Sequence, residues 1–165
     1  MKILIKGGRV VDPKNDFDKV ADVLVDNGVI SEIGENINAD GDVTVIDAEG
    51  KIVSPGLVDM HSHLRDPGQE YKEDIESGTR SAAMGGITSI ACMPNTKPVT
   101  DSEPIVTYIK TKAKEVGHVN VYPIGSISKG LEGKELAEIG ELKNAGAVAI
   151  SDDGRPVSYT HLTLP

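Results

Sequence analysis

The sequence has a single cysteine, Cys92, in 165 residues. One thiol excludes an intrachain disulfide framework and any metal site built from clustered thiolates, so a metal held here would need histidines and carboxylates. Cys92 itself reads as a small buried apolar residue in a reducing compartment. Long apolar runs are also missing. The stretch from Met1 to Val11 is broken by Lys6, Gly7, Gly8 and Arg9, which leaves no signal-peptide core, and no later run is long enough to span a bilayer. These absences predict a cytoplasmic protein with no membrane partner. Positive charge is scarce as well. Seventeen Lys and Arg stand against 26 Asp and Glu, and a net charge of -9 repels a phosphate backbone, which argues against nucleic acid as a partner.

What is present is the composition of a folded globular chain, 38% hydrophobic and 26% charged. Up to about Gly50 short β-type runs (Ile3 to Ile5, Val20 to Val25, Val29 to Ile33, Val43 to Ile46) are separated by turn signals such as Asp26-Asn27-Gly28 and Asp40-Gly41. Residues 1–50 are therefore expected to form a small antiparallel β unit. After Lys51 the rhythm changes. Apolar strands at Ile52 to Val58, Ile87 to Cys92, Asn120 to Ile124 and Ala147 to Ile150 alternate with helix-length segments at Glu73 to Met84, Ser102 to Val116 and Lys134 to Ala145. Repeated βαβ units imply a parallel sheet. The predicted fold is α/β: over residues 51–157, a partial TIM (β/α)8 barrel of about four βα units, where a whole barrel needs about 250 residues. Residues 158–165 carry no helix signal where the next crossover helix should begin. They read as a non-native tail, and His161 within it receives no role.

Three short stretches carry potential chemistry. An apolar strand runs directly into His61-Ser62-His63, and residues two apart in a strand share a face, so both imidazoles would project together at the carboxyl rim of the barrel, where barrel enzymes hold their catalytic groups. Neutral imidazole is a common zinc ligand; the plainer reading is two exposed loop histidines. Ser151-Asp152-Asp153-Gly154 follows the fourth strand, and a carboxylate there could join the same metal, although Asp-Asp-Gly alone is more often a solvated turn. At the end of the second strand, Pro94 and Pro98 fix a loop in which Asn95 could offer its amide to a carboxylate or carbonyl. Arg65 should share the direction of His63 if the strand persists, and its planar fork suits a carboxylate; pairing with Asp66 is the alternative.

Pro55-Gly56-Leu57-Val58-Asp59-Met60-His61-Ser62-His63, with Leu64-Arg65-Asp66-Pro67-Gly68 behind it, resembles the metal-binding entry motif of the amidohydrolase superfamily. Met93-Pro94-Asn95-Thr96 with Asp101, and then Ser151-Asp152-Asp153-Gly154-Arg155-Pro156-Val157, are similar to later motifs of bacterial dihydroorotases, in the same order. The resemblance covers residues 1 to about 157. It implies a zinc-dependent cyclic amide hydrolase that interconverts dihydroorotate and N-carbamoyl-L-aspartate in pyrimidine biosynthesis, using one or two Zn²⁺. It further implies that His61, His63 and Asp153 are metal ligands, Asp153 being preferred to Asp152 by motif position alone, and that His63, Arg65 and Asn95 contact the substrate.

Related hydantoinase- and allantoinase-like enzymes bridge their metals with a carboxylated lysine at the end of the fourth strand. Here that stretch is Ala147-Val148-Ala149-Ile150-Ser151-Asp152-Asp153, without lysine, and Lys143 falls in the preceding helix. This favours the aspartate-bridged type over another cyclic amidohydrolase, and the presence of both histidines and Asp153 speaks against the remaining alternative, a non-catalytic scaffold. In the family the general acid and further histidine ligands come from later strands. The catalytic acid is accordingly expected beyond this chain, the 165 residues alone to be inactive and marginally stable, and the whole protein to form a homodimer or associate with a pathway enzyme.

Overall fold

The computed structural model describes residues 1–157, so the expectations for 158–165 and His161 lie outside the described residues. The chain divides into two units, Met1–Pro55 and a second that begins at Gly56.

In the first unit β1 (Lys2–Asp12), β2 (Phe17–Asp26) and β3 (Val29–Gly34) form an antiparallel meander. The β2–β3 turn places Asn27 at φ 50° and Gly28 at φ 80°, the paired positive values that a tight hairpin needs to match strand twist. On the other edge of β1, β4 (Val43–Asp47) and β5 (Ile52–Val53) add in parallel, β4 against Lys2 to Lys6 and β5 against Arg9 and Val10. One long strand thus serves two short ones, with a register irregularity between Ile5 and Gly8 separating the two stretches. Val10, Ala21 and Val23 are buried together under Ile5, Phe17, Val25 and Val53.

The stretch expected as one strand, Ile52 to Val58, is split. Ile52–Val53 closes the first sheet, while the first strand of the second unit, β6, is Leu57–Ser62. Pro55 between them has no N–H to give a ladder, and an added Cβ at Gly56 would lie 2.1 Å from the Thr88 hydroxyl. The break therefore falls at Pro55/Gly56, five residues beyond the boundary at Gly50 suggested by the turn signals.

The second unit runs β6, α1 (Ile75–Met84), β7 (Ile87–Cys92), α2 (Glu103–Val116), β8 (Asn120–Gly125), α3 (Ile139–Ala145), β9 (Ala149–Ile150). All four strands are parallel, in the order β6-β7-β8-β9, the arrangement of half a (β/α)8 barrel. Helix α1 begins where the Asp74 carboxylate accepts the Ser77 N–H at 2.7 Å and the Ser77 hydroxyl faces back to the Asp74 N–H, a reciprocal cap worth about 1 kcal/mol. Ile75 and Ile109 from α1 and α2 are buried with Leu64, Ala82, Ile90 and Cys92 against the outer face of the sheet; Val106, Ala137 and Leu142 form a second cluster.

The third helix is shorter than expected. Residues 134–138 do not coil, because the Lys129 N–H donates to the Glu135 carbonyl and the Ala137 N–H to the Ile127 carbonyl, with a β-bridge between Ser128 and Leu136. Pairing with the loop after β8 outcompetes the first part of the helical pattern of Lys134 to Ala145. None of the helices among the described residues is long and apolar enough to cross a membrane.

Cys92 ends β7 and is buried, and burial pushes its thiol pKa up to about 12. A thiol held this far into its protonated form is a poor nucleophile. Cys92 is thus expected to resist alkylation in the native protein at pH 8 and to react promptly in denaturant, as read by mass spectrometry; rapid native labelling would contradict the burial.

Candidate metal centre

Three loops meet at the carboxyl rim of the second sheet. The first is the end of β6. There the Asp59 carboxylate accepts the His61 N–H at 3.0 Å and the Ser62 hydroxyl, which hold its carboxyl below the usual range, the Ser62 hydroxyl most strongly. This fixes the turn that presents His61 and His63, whose rings stand edge to face with centroids 5.2 Å apart.

The second loop follows β7. The Met93 N–H donates to the Ser62 carbonyl at 2.8 Å, which carries strand pairing past Cys92 and delivers Asn95 beside the histidines. Its carbonyl oxygen lies 2.9 Å from His63 Nδ1, and its amide nitrogen donates to Asp153 Oδ2 at 2.7 Å. With Nδ1 of His63 as the donor in that contact, Nε2 is left with its lone pair for a metal.

The third loop follows β9. Asp153 Oδ1 lies 3.1 Å from His61 Nε2. One ligand atom each from His61, His63 and Asp153 fall within 4.8 Å of one another. Zn–N and Zn–O distances of about 2.0–2.2 Å put the donors of one tetrahedral ion roughly 3.4 Å apart, so small side-chain rotations suffice for these three to share an ion. Two imidazoles and one carboxylate are a donor set suited to zinc or a similar divalent metal.

The two neighbouring aspartates part company. Asp152 is 3% exposed and accepts the N–H groups of Ile127 and Ser128 at 2.8 and 3.0 Å together with the Ser128 hydroxyl, whereas Asp153 faces His61 and Asn95.

Arg65 departs from expectation. The strand ends at Ser62 and Arg65 adopts φ 59°, so it does not continue the direction of His63, and among the described residues no hydrogen bond joins its guanidinium to the cluster. Nor does it pair with Asp66. That side chain, fully buried, meets Lys112 Nζ at 2.8 Å and the Tyr108 hydroxyl at 2.9 Å, both from α2. Gly68, at φ 89°, lets this loop touch the next: a Cβ there would sit 1.6 Å from the Lys97 carbonyl.

Residues 50–164 match the dihydro-orotase-like protein family. The chain belongs to that family. A dihydroorotase of Acetivibrio thermocellus is 66% identical over 161 residues, 97% of this chain and 37% of the relative; one of Geobacter sulfurreducens is 60% identical over 162 residues, 98% of this chain and 38% of the relative. The chain thus spans little more than a third of the length of these curated relatives. Among solved structures, the L-hydantoinase (dihydropyrimidinase) of Arthrobacter aurescens superposes with a TM-score of 0.77 at 32% identity, over 90% of this chain and 32% of that one. The D-hydantoinase of a Thermus species gives 0.66 at 30% identity, over 86% and 30%. The second unit is accordingly a family (β/α)8 half-barrel.

Sequence reasoning missed the residues that hold this candidate site in place. Asp59, two residues before His61, carries the familiar spacing of an aspartate that caps its own turn, a signal that was there to read. Tyr108 and Lys112 stand four apart on one helix face, but nothing local marks Asp66 as their partner.

Proposed function

We propose that the whole protein is a zinc-dependent dihydroorotase: it opens and closes the cyclic amide of dihydroorotate, with N-carbamoyl-L-aspartate as the ring-opened form. The observation that carries this reading is the meeting of His61, His63 and Asp153, with donor atoms within 4.8 Å, in a chain of the dihydro-orotase-like family. The absence of a lysine between Ala147 and Asp153 supports an aspartate as the bridging group rather than a carboxylated lysine.

A divalent ion bound there, one or two per site, would supply Lewis-acid polarisation of the amide carbonyl and a water acidic enough to attack near neutral pH. The residues of this chain do the rest of the local work. His61, His63 and Asp153 form one side of the metal shell. Asn95 holds His63 and Asp153 in register, and the remaining hydrogen-bonding capacity of its amide would meet the substrate. Arg65, on its left-handed loop, offers the bidentate fork that a substrate carboxylate needs. Proton delivery to the leaving nitrogen is assigned to a group outside these 165 residues.

The test is a substrate panel on the whole protein with metal content measured in parallel. Turnover of dihydroorotate, dependent on bound zinc and well above that of hydantoin or allantoin, is the expected result. Turnover of hydantoin or allantoin without dihydroorotate would replace this reading with that of another cyclic amidohydrolase. Zinc-free protein with no turnover of any of the three would point to a scaffold. The 165-residue chain alone is expected to show no hydrolysis even with added Zn²⁺; substantial turnover would show that these three ligands suffice.

A further inference from the structure

We infer that Asp152 is a positioning residue that aims Asp153 at the metal centre, an inference that rests on the metal-site reading above. Asp153 sits at φ 55°, a left-handed conformation uncommon outside glycine though more open to Asp and Asn than to other residues, and here its surroundings impose it. Asp152 supplies much of that imposition. Its buried carboxylate takes two backbone N–H groups and one hydroxyl from the loop after β8: Ile127, Ser128 and the Ser128 side chain. The same Ser128 hydroxyl accepts the Gly133 N–H at 2.8 Å, so the anchoring loop is itself tied down.

Three further bonds complete the tether. The Arg155 N–H closes a turn on the Asp152 carbonyl at 3.1 Å, the Arg155 side chain donates to the Leu131 carbonyl at 3.0 Å, and the Asp153 N–H donates to the Ser151 hydroxyl at 3.0 Å. With Asp152 locked inward, the left-handed step at the next residue turns the following side chain the other way, toward His61 and Asn95. One carboxylate of the pair is therefore structural and its neighbour functional. The structural one sets the aim of the other, without touching the ion.

The experiment compares the whole protein with Asp152→Ala, Asp152→Asn and Ser128→Ala, each stripped of metal. Co²⁺ binding is followed by its visible absorption and Zn²⁺ affinity by calorimetry, below the melting temperature of every metal-free variant. Asp152→Ala is expected to weaken metal binding about 10- to 100-fold, the usual effect of losing a group that orients a ligand, and to alter the Co²⁺ spectrum. Asp152→Asn keeps an oxygen for the two N–H groups and should recover most of the affinity; Ser128→Ala should lose several-fold. Wild-type affinity and spectrum in Asp152→Ala would overturn the inference. So would an Asn variant as impaired as the Ala variant, because the charge itself would then be acting as a ligand. Should Asp152→Ala not fold, Ser128→Ala decides: weakened binding supports the tether, and unchanged binding and spectrum overturn it. Failure of the unaltered protein to bind Co²⁺ or Zn²⁺ would instead sink the metal-site reading itself.

Discussion

Asp153→Ala in the whole protein is expected to lower metal affinity by about a hundredfold or more and to remove hydrolytic turnover. The expectation is larger than for either histidine because Asp153 makes more of the site than one bond. It is the one anion among the three candidate ligands, so it supplies the charge that balances a dication. It is also a structural hub: one oxygen faces His61 Nε2 at 3.1 Å and the other accepts the Asn95 amide at 2.7 Å. Removing it releases Asn95, and with Asn95 the contact that fixes the tautomer of His63. Asp153→Asn preserves shape and should still lose well over tenfold, since it places an NH₂ and no charge among the donors. Metal per chain after dialysis, measured with kcat, reads both effects. An Asp153→Ala protein that retains stoichiometric zinc would mean that this carboxylate does not bind the ion.

Much of this arrangement could be read in advance, and the reasons differ by residue. His61 and His63 are close because they stand two apart where β6 ends, in a turn that the Asp59 carboxylate holds through the His61 N–H and the Ser62 hydroxyl, and local rules suffice for that. The four parallel strands are visible because each is an apolar run set off by a helix of different period. Choosing Asp153 over Asp152 is another matter. The two are chemically identical neighbours, and what separates them is a pair of N–H groups 24 and 25 residues upstream, together with one left-handed residue. Nothing local in the sequence encodes that.

The direction of Arg65 is hidden from local rules in the same way. The strand ends at Ser62, where the chain leaves the sheet, and the Asp66 side chain beyond it is held by Tyr108 and Lys112, more than 40 residues away. The shortened α3 is a third instance: its helical period is real, but backbone groups of Ile127 and Lys129 claim its first turn. In each case a hydrogen bond to a group outside the element overrides a local pattern. Both rim loops also use one device, a left-handed residue, Arg65 or Asp153, beside a buried aspartate, Asp66 or Asp152.

The Asp66 anchor carries the largest stability effect expected. Lys112→Met should destabilise the protein by about 3 kcal/mol, the lower end for breaking a buried ion pair. The Asp66 side chain has no exposure, while the Lys112 side chain is 33% exposed, so water can partly replace the ammonium and the lower figure applies. After the substitution Asp66 retains the Tyr108 hydroxyl but no cation. Restoring neutrality should restore stability. The double variant Asp66→Asn with Lys112→Met is expected to be more stable than Lys112→Met alone, because the cost lies in the stranded charge and not in the lost contact. Urea unfolding of the three proteins measures the order, and a single-variant loss below about 1 kcal/mol would show the pair to be solvated in effect. The pH dependence has a definite sign. Asp66 holds the Lys112 pKa above its ordinary value of 10.5, so the pair contributes fully below that pH and is lost only as alkali titrates the folded ammonium. The difference between wild type and Lys112→Met should therefore stay constant from pH 7 to about 10 and narrow above it.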